Sequence, residues 1–338
     1  MITLITILIG SVGAYIAWFI GAPAPFLTGP ATLVTISALL NITCNISLPI
    51  RNISFVVIGI ATAEGINSDV LINALTWPIS LTGMCFNIII LVLAGKYIFQ
   101  TYFKMERNNA ILASTPGHLS FVLSLSEDNA GNTAIISIIQ SIRVLTLTLA
   151  LPGIIAIFTD FNMRPSTSSA PVLSYNHLFL MISLSIIIGI LLLRFRVPAA
   201  FLLGGMLCST IGHGFNLTPG EIPENLAILA FVVLGSLIGS RFSGISLEIL
   251  KSCILKGTLF TSLSLMISVL VALLTSYFTS FRFIEILIAI APGGLETMIV
   301  MGQLIDADPA FIALHHLARL FLLLLLLSIM IRNVKKIN

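Results

Sequence analysis

Long continuous runs of Leu, Ile, Val, Ala and Phe dominate the chain, and they do not alternate with polar residues as the strands of a membrane barrel would. The pattern predicts helical spans. In the first half these cover about 2–20, 26–42, 53–65, 70–97 and 133–158, and in the second about 177–193, 199–214, 225–240, 252–278 and 309–331. Two further apolar segments, 108–126 and 284–303, are each interrupted by a Pro-Gly break. Several spans lie near the lower limit of about 17 residues for a straight crossing. A polar stretch, Asp160–Asn176, separates the halves. The expected organisation is a first membrane repeat at 1–159, a linker at 160–176 and a second membrane repeat at 177–338.

The two halves carry the same landmarks in the same order. Pro116 and Pro292 are 176 residues apart, as are Gln140 and His316, and Arg143 and Arg319. Pro23, Phe26, Leu27 and Gly29 recur as Pro198, Phe201, Leu202 and Gly204, a shift of 175. Leu48-Pro49 and Val56–Gly59 match Ile222-Pro223 and Val232–Gly235. An internal duplication of about 175 residues follows. Five crossings per half is an odd number, so the second half is expected to enter the membrane upside down, the build of many secondary transporters.

Composition changes the picture from helical to membrane-embedded. The chain is 57% hydrophobic and 9% charged, with a mean hydropathy of +1.11, whereas soluble domains carry about 25% charged residues. The run Ile2–Ile20 lacks a basic leader and reads as a retained helix, not a signal peptide. With the N-terminus in the cytoplasm, twelve cations face inward (Arg51, Lys96, Lys104, Arg107, Arg194, Arg196, Arg241, Lys251, Lys256, Arg332, Lys335 and Lys336) against two outward, Arg164 and Arg282. Both termini are thus expected on the cytoplasmic side of a bacterial inner membrane. A net charge of +3 spread between spans argues against a nucleic-acid surface.

Candidate chemistry gathers at the two breaks. Proline removes a backbone donor and glycine loosens a helix. Broken backbone at membrane depth is tolerated only when buried in protein or lining a cavity. The candidate substrate-binding residues are therefore Pro116, Gly117, His118, Gln140 and Arg143 in the first copy. In the second they are Pro292, Gly293, Gly294, Glu296, His316 and Arg319. A half-helix starting after either proline would point free N–H groups and a positive dipole end at an anion or polar oxygen. Arginine inside a span costs about 2.5–3.5 kcal/mol on insertion scales. Each arginine therefore meets substrate, ties down the carbonyl end of a broken helix, or does both.

Among the carboxylates Glu64, Glu285 and Glu296, the last is the favoured proton or cation site, the alternative being an ion pair with Arg319 or Arg143. His315 and His316 are adjacent, so on a helix their rings diverge by about 100°, and no metal-binding spacing appears. His177 and His213 fall near span ends. The separated cysteines, Cys44, Cys85, Cys208 and Cys253, read as small packing residues. No nucleotide loop or nucleophile elbow is present, so no enzyme and no cofactor are expected.

These residues resemble the bacterial AbrB-type membrane protein family, which is also labelled as an ammonia monooxygenase and is distinct from the small DNA-binding regulator of the same name. The resemblance rests on Pro23–Gly29 and Pro198–Gly204, on the two Pro-Gly copies, and on the closing Gln140-x-x-Arg143 and His316-x-x-Arg319 segments. It covers nearly the whole chain. His118 and Phe121 depart from the family pattern, where a second glycine and an acidic residue are usual. The resemblance implies a duplicated multi-span protein, one member of which is linked to gene regulation. The leading expectation is a secondary transporter or exporter of a small polar or anionic solute. A membrane sensor acting indirectly on gene expression is the alternative. A monooxygenase would need a metal or haem site that the histidine spacing does not offer. The expected partners are the bilayer and the solute, with no nucleic acid and with a homo-oligomer left open.

Overall fold

The computed structural model describes residues 1–64, 77–116, 122, 132–158, 172–215 and 217–331. Thirteen helices appear among them: α1 (Ile2–Phe19), α2 (Pro25–Leu39), α3 (Leu48–Ala63), α4 (Trp77–Thr101), α5 (Arg107–Ser114), α6 (Thr133–Phe158), α7 (Tyr175–Arg194), α8 (Ala200–Gly214), α9 (Glu224–Ser240), α10 (Leu247–Tyr277), α11 (Phe283–Ile290), α12 (Leu295–Gln303) and α13 (Pro309–Met330). The one β contact described is an isolated bridge between Val172 and Glu221. Six helices, α1, α4, α6, α7, α10 and α13, are long and apolar enough to cross a bilayer. The chain is therefore an all-helical, multi-pass membrane protein. Its apolar surface agrees: Ile187, Ile190 and Leu191 on α7 are all more than half exposed, a density that water-soluble surfaces rarely carry and that lipid accommodates.

Most spans begin and end within a few residues of expectation. The larger departures, five residues each, are α10, which starts at Leu247, not near 252, and α3, which starts at Leu48, not near 53, because Pro49 lies in its first turn, where a missing N–H costs nothing. The segment 65–76, where part of the fourth expected span falls, lies outside the described residues.

Helices recur in register. α2 and α8 are both 15 residues long, and α5 and α11 both 8, displaced by 175 and 176 residues. Both α2 and α8 start from an alanine in the left-handed region, Ala24 (φ 46°) and Ala199 (φ 50°). Such a φ is uncommon for a residue with a side chain.

The helices cluster into two compact units, each drawing on both halves of the chain. Unit 1 is Met1–Asn73, Thr148–Ile245 and Leu295–Ala310; unit 2 is Ala74–Leu147, Ser246–Gly294 and Phe311–Asn338. Within unit 1, α1 packs on α2, α2 on α9 and α1 on α9, while α7 packs on α8, α8 on α3 and α7 on α3. The second set is the first with every helix replaced by its counterpart. Close approach makes this packing work. A Cβ on Gly59 of α3 would lie 2.1 Å from the Leu202 carbonyl of α8, and a Cβ on Gly235 of α9 would lie 2.4 Å from the Leu27 carbonyl of α2. Small residues let helix backbones meet where lipid supplies no hydrophobic driving force.

In unit 2, α4 packs against α5, α10 and α11, and α10 against α11. Asn87 of α4 and Ser268 of α10, both fully buried, bond each other at 3.2 Å. Phe99 and Phe260 stack further along the same pair, with ring centroids 5.0 Å apart.

Gly59→Val and Gly235→Val are each expected to destabilise the protein by about 1–3 kcal/mol or more through overpacking against backbone. Gly153→Ala, inside α6 where a Cβ meets nothing within 4 Å, should cost nothing and can gain up to about 1 kcal/mol as a better helix former. Thermal unfolding of detergent-purified protein reads all three. Equal melting of the Gly59 and Gly153 variants would show that the close approach is not a constraint.

Candidate functional site

Proline decides where the broken helices stop. It pushes the preceding residue out of the α region, and both α5 and α11 end on an extended residue just before it, Thr115 (ψ 119°) and Ala291 (ψ 143°). Proline also lacks the N–H that would reach back four residues. For Pro116 the deprived carbonyl belongs to Leu112, and for Pro292 to Ile288. The carbonyls of the last turn lose their helical partners as well. In lipid no water replaces them, and each unsatisfied group costs several kcal/mol.

Side chains from α6 and α13 supply what is missing. Gln140 Nε2 donates to the Leu112 carbonyl at 3.0 Å, and His316 Nε2 to the Ile288 carbonyl at 3.1 Å. Arg143 Nη1 donates to the Thr115 carbonyl at 3.1 Å, and Arg319 Nη1 to the Ala291 carbonyl at 3.0 Å. All four bonds join residues 28 apart in sequence, and each in the second copy is its partner displaced by 176. Around this shared frame the copies differ. Gln140 Nε2 also reaches the Thr115 carbonyl at 2.9 Å, and its Oε1 accepts from Arg143 Nη2. In the second copy Arg319 Nη2 reaches forward to the Gly293 carbonyl at 3.0 Å. The four side chains are 0–4% exposed.

Both groups lie in unit 2. His316 must carry its proton on Nε2 to serve the carbonyl. Its neighbour His315 points elsewhere, bonding the Phe311 carbonyl through Nδ1 at 2.7 Å and the Ser80 hydroxyl through Nε2 at 2.9 Å. The divergence expected of adjacent helical residues is therefore observed.

Pro116, Pro292 and Gly293 are buried and Gly294 half-buried. Gly117, His118 and Phe121 lie outside the described residues. Glu296 sits in the first turn of α12, in unit 1, half-buried. Arg241, at the end of α9 in the same unit, interacts with it electrostatically. The other end of α12 is tied down by Gln303, whose Nε2 donates to the Ala61 carbonyl of α3 at 3.2 Å. Glu285 is a helix-capping group: it pairs with Arg282 at 2.7 Å and accepts from the Arg282 backbone N–H. Glu64 Oε1 accepts from the Ile222 N–H at 2.7 Å, pinning the segment before α9 to the end of α3. His213 caps a loop, with Nε2 on the Gly220 carbonyl at 2.8 Å.

Sequence reasoning overlooked Asn87. Its Nδ2 donates to the Ile290 carbonyl at 2.9 Å, one more acceptor at the second break. A single amide within the run Phe86–Leu91 was the available signal, since an isolated polar residue in a span usually has a partner to meet.

His316→Gln keeps a donor for Ile288, as Gln140 does for Leu112, and is expected to stay within about 1 kcal/mol of wild type. His316→Leu strands a buried carbonyl and should cost about 1–3 kcal/mol. Arg319→Ala strips donors from two carbonyls and should cost more than His316→Leu. Denaturant unfolding in micelles ranks the variants, and equal stability of the Gln and Leu variants would show the bond to be energetically idle.

Comparison with known proteins converges on the same stretch of chain. The family model described as "Transition state regulatory protein AbrB" matches residues 26–335. "Uncharacterized protein YhjN" of Bacillus subtilis (strain 168) is 25% identical over 293 residues, covering 80% of this chain and 75% of that one. "Putative regulator AbrB" of Escherichia coli (strain K12) is 25% identical over 314 residues, covering 90% and 88% respectively. With duplicated Pro-Gly breaks, side-chain caps at one displacement and a match across most of its length, the chain belongs to the AbrB family.

Proposed function

We propose that this protein is a secondary transporter or exporter of a small polar or anionic solute in a bacterial inner membrane, with both termini cytoplasmic and its halves inserted in opposite orientation. The observation that carries this reading is the pair of Pro-Gly breaks whose preceding helix ends, α5 and α11, have their carbonyls held by equivalent bonds 176 residues apart. A break at membrane depth needs protein or a wet cavity around it. Paired discontinuous helices in inverted halves are how many transporters present backbone ends to solute. The exchange of equivalent packing partners within unit 1 supports a two-fold relation between halves.

The capped carbonyls also divide the labour. Arg143 and Arg319 maintain the broken helices. The N-terminal end of α12 is the surface offered to an anion. Glu296, the second residue of that helix and within electrostatic reach of Arg241, is the group to carry a proton with the solute.

A second reading, a membrane sensor that acts on gene expression through a partner, is favoured by one observation: the family description and the Escherichia coli relative are both named for regulation. This reading expects a co-purifying partner and no flux.

The deciding experiment is solute accumulation in proteoliposomes under an imposed pH gradient, screening small carboxylates and phosphates. Wild type should accumulate at least one of them above protein-free vesicles. Glu296→Gln should lose the gradient-driven component by about tenfold or more, the scale of removing one positioned proton carrier, while eluting as wild type from a sizing column. Flux identical in wild type and Glu296→Gln would remove Glu296 from the mechanism. No flux for any solute, with a partner retained, would favour the sensor.

A further inference from the structure

The pair α4 and α10 runs antiparallel, as the contacts Asn87–Ser268 and Phe99–Phe260 require. Near Phe99 it is packed tightly, and a Cβ on Gly95 would come within 2.6 Å of the Phe260 ring. Alongside that contact the pair leaves a groove of about 400 Å³ lined by Ile98, Tyr102, Phe103, Leu259, Phe260 and Leu263. That volume is at the small end of ligand sites, about 300–1,000 Å³. The tyrosine hydroxyl is the one polar side-chain group in the lining. All six residues belong to unit 2.

The mouth of the groove has a different chemistry. Lys256 lies three residues before Leu259 and four before Phe260, on the same face of α10 and one turn nearer its start. Lys104 follows the end of α4 and is exposed, as are Arg107 at the start of α5 and Lys251 on α10. Against these four cations stand two acids, Glu106 and Glu248. An apolar floor, little more than one helical turn long, that ends in a cationic rim is complementary to one class of molecule in a membrane. An acyl chain fills the floor, and a phosphate meets the ammonium groups, whose aliphatic stems lie along the apolar surface.

We propose that the groove between α4 and α10 is a binding site for an anionic glycerophospholipid, with one acyl chain between Tyr102 and Leu263 and the headgroup phosphate at Lys256 and Lys104. The charge distribution of the sequence assigns this end to the cytoplasmic side, so the lipid belongs to the inner leaflet. The site is separate from the Pro-Gly breaks and does not depend on the transport reading.

The test is native mass spectrometry of the full chain released from micelles containing equal phosphatidylglycerol and phosphatidylcholine of the same chain length. Wild type should retain phosphatidylglycerol in preference by about fivefold or more, the factor one lysine supplies near an anionic headgroup. Lys256→Gln should abolish the preference and Lys256→Arg should keep it. Leu259→Trp, which fills the floor, should lower retention of both lipids. Equal retention of the two lipids by wild type would overturn the proposal, as would a preference untouched by Lys256→Gln. A dimer that dissociates in Leu259→Trp would overturn it too, because a second copy would then be the occupant.

Discussion

A proline in a buried helix deletes one hydrogen-bond donor, and a bilayer offers no water to replace it. Much of what is unusual in this chain follows from that deficit, which occurs twice. The Leu112 and Ile288 carbonyls lose their prolyl partners, and Gln140 and His316 stand in for them. The extended residues before each proline free further carbonyls, and Arg143 and Arg319 reach those. Four buried polar side chains in apolar helices would be costly alone. Here each cost is set against a backbone group that would otherwise be stranded.

That pairing bears on function by giving the arginines a structural role. Both guanidinium groups hold the carbonyl ends of α5 and α11. The same logic explains why one copy uses glutamine and the other histidine: either offers an N–H at the right reach. What differs lies beyond that shared pair: in the first copy Gln140 also donates to Thr115 and accepts from Arg143, and in the second Arg319 reaches Gly293.

Packing in unit 1 depends on a related economy. Gly59 and Gly235 sit where a carbonyl of the crossing helix comes within 2.1–2.4 Å of a would-be Cβ. Such contacts maximise dispersion between backbones where apolar association gains nothing over lipid. Because each glycine is the counterpart of the other, the same contact is made twice.

The sequence by itself determined the helical, membrane-spanning class, because continuous apolar runs with 9% charge admit no other solvent. It determined where the broken helices end, since proline acts on its own neighbour and on the carbonyl four residues back. It also singled out Gln140, Arg143, His316 and Arg319, because polar groups in lipid stand out without any structure. Tertiary structure decided what those groups touch: both roles open to the arginines fit the spacing, and only the distances to Thr115 and Ala291 assign carbonyls to them. It likewise decided that Glu285 serves a helix cap and that Glu296 lies within electrostatic reach of Arg241, a residue 55 positions away. Periodicity specifies which side of a helix is polar but not which neighbour will face it. That choice is made by packing between segments distant in sequence.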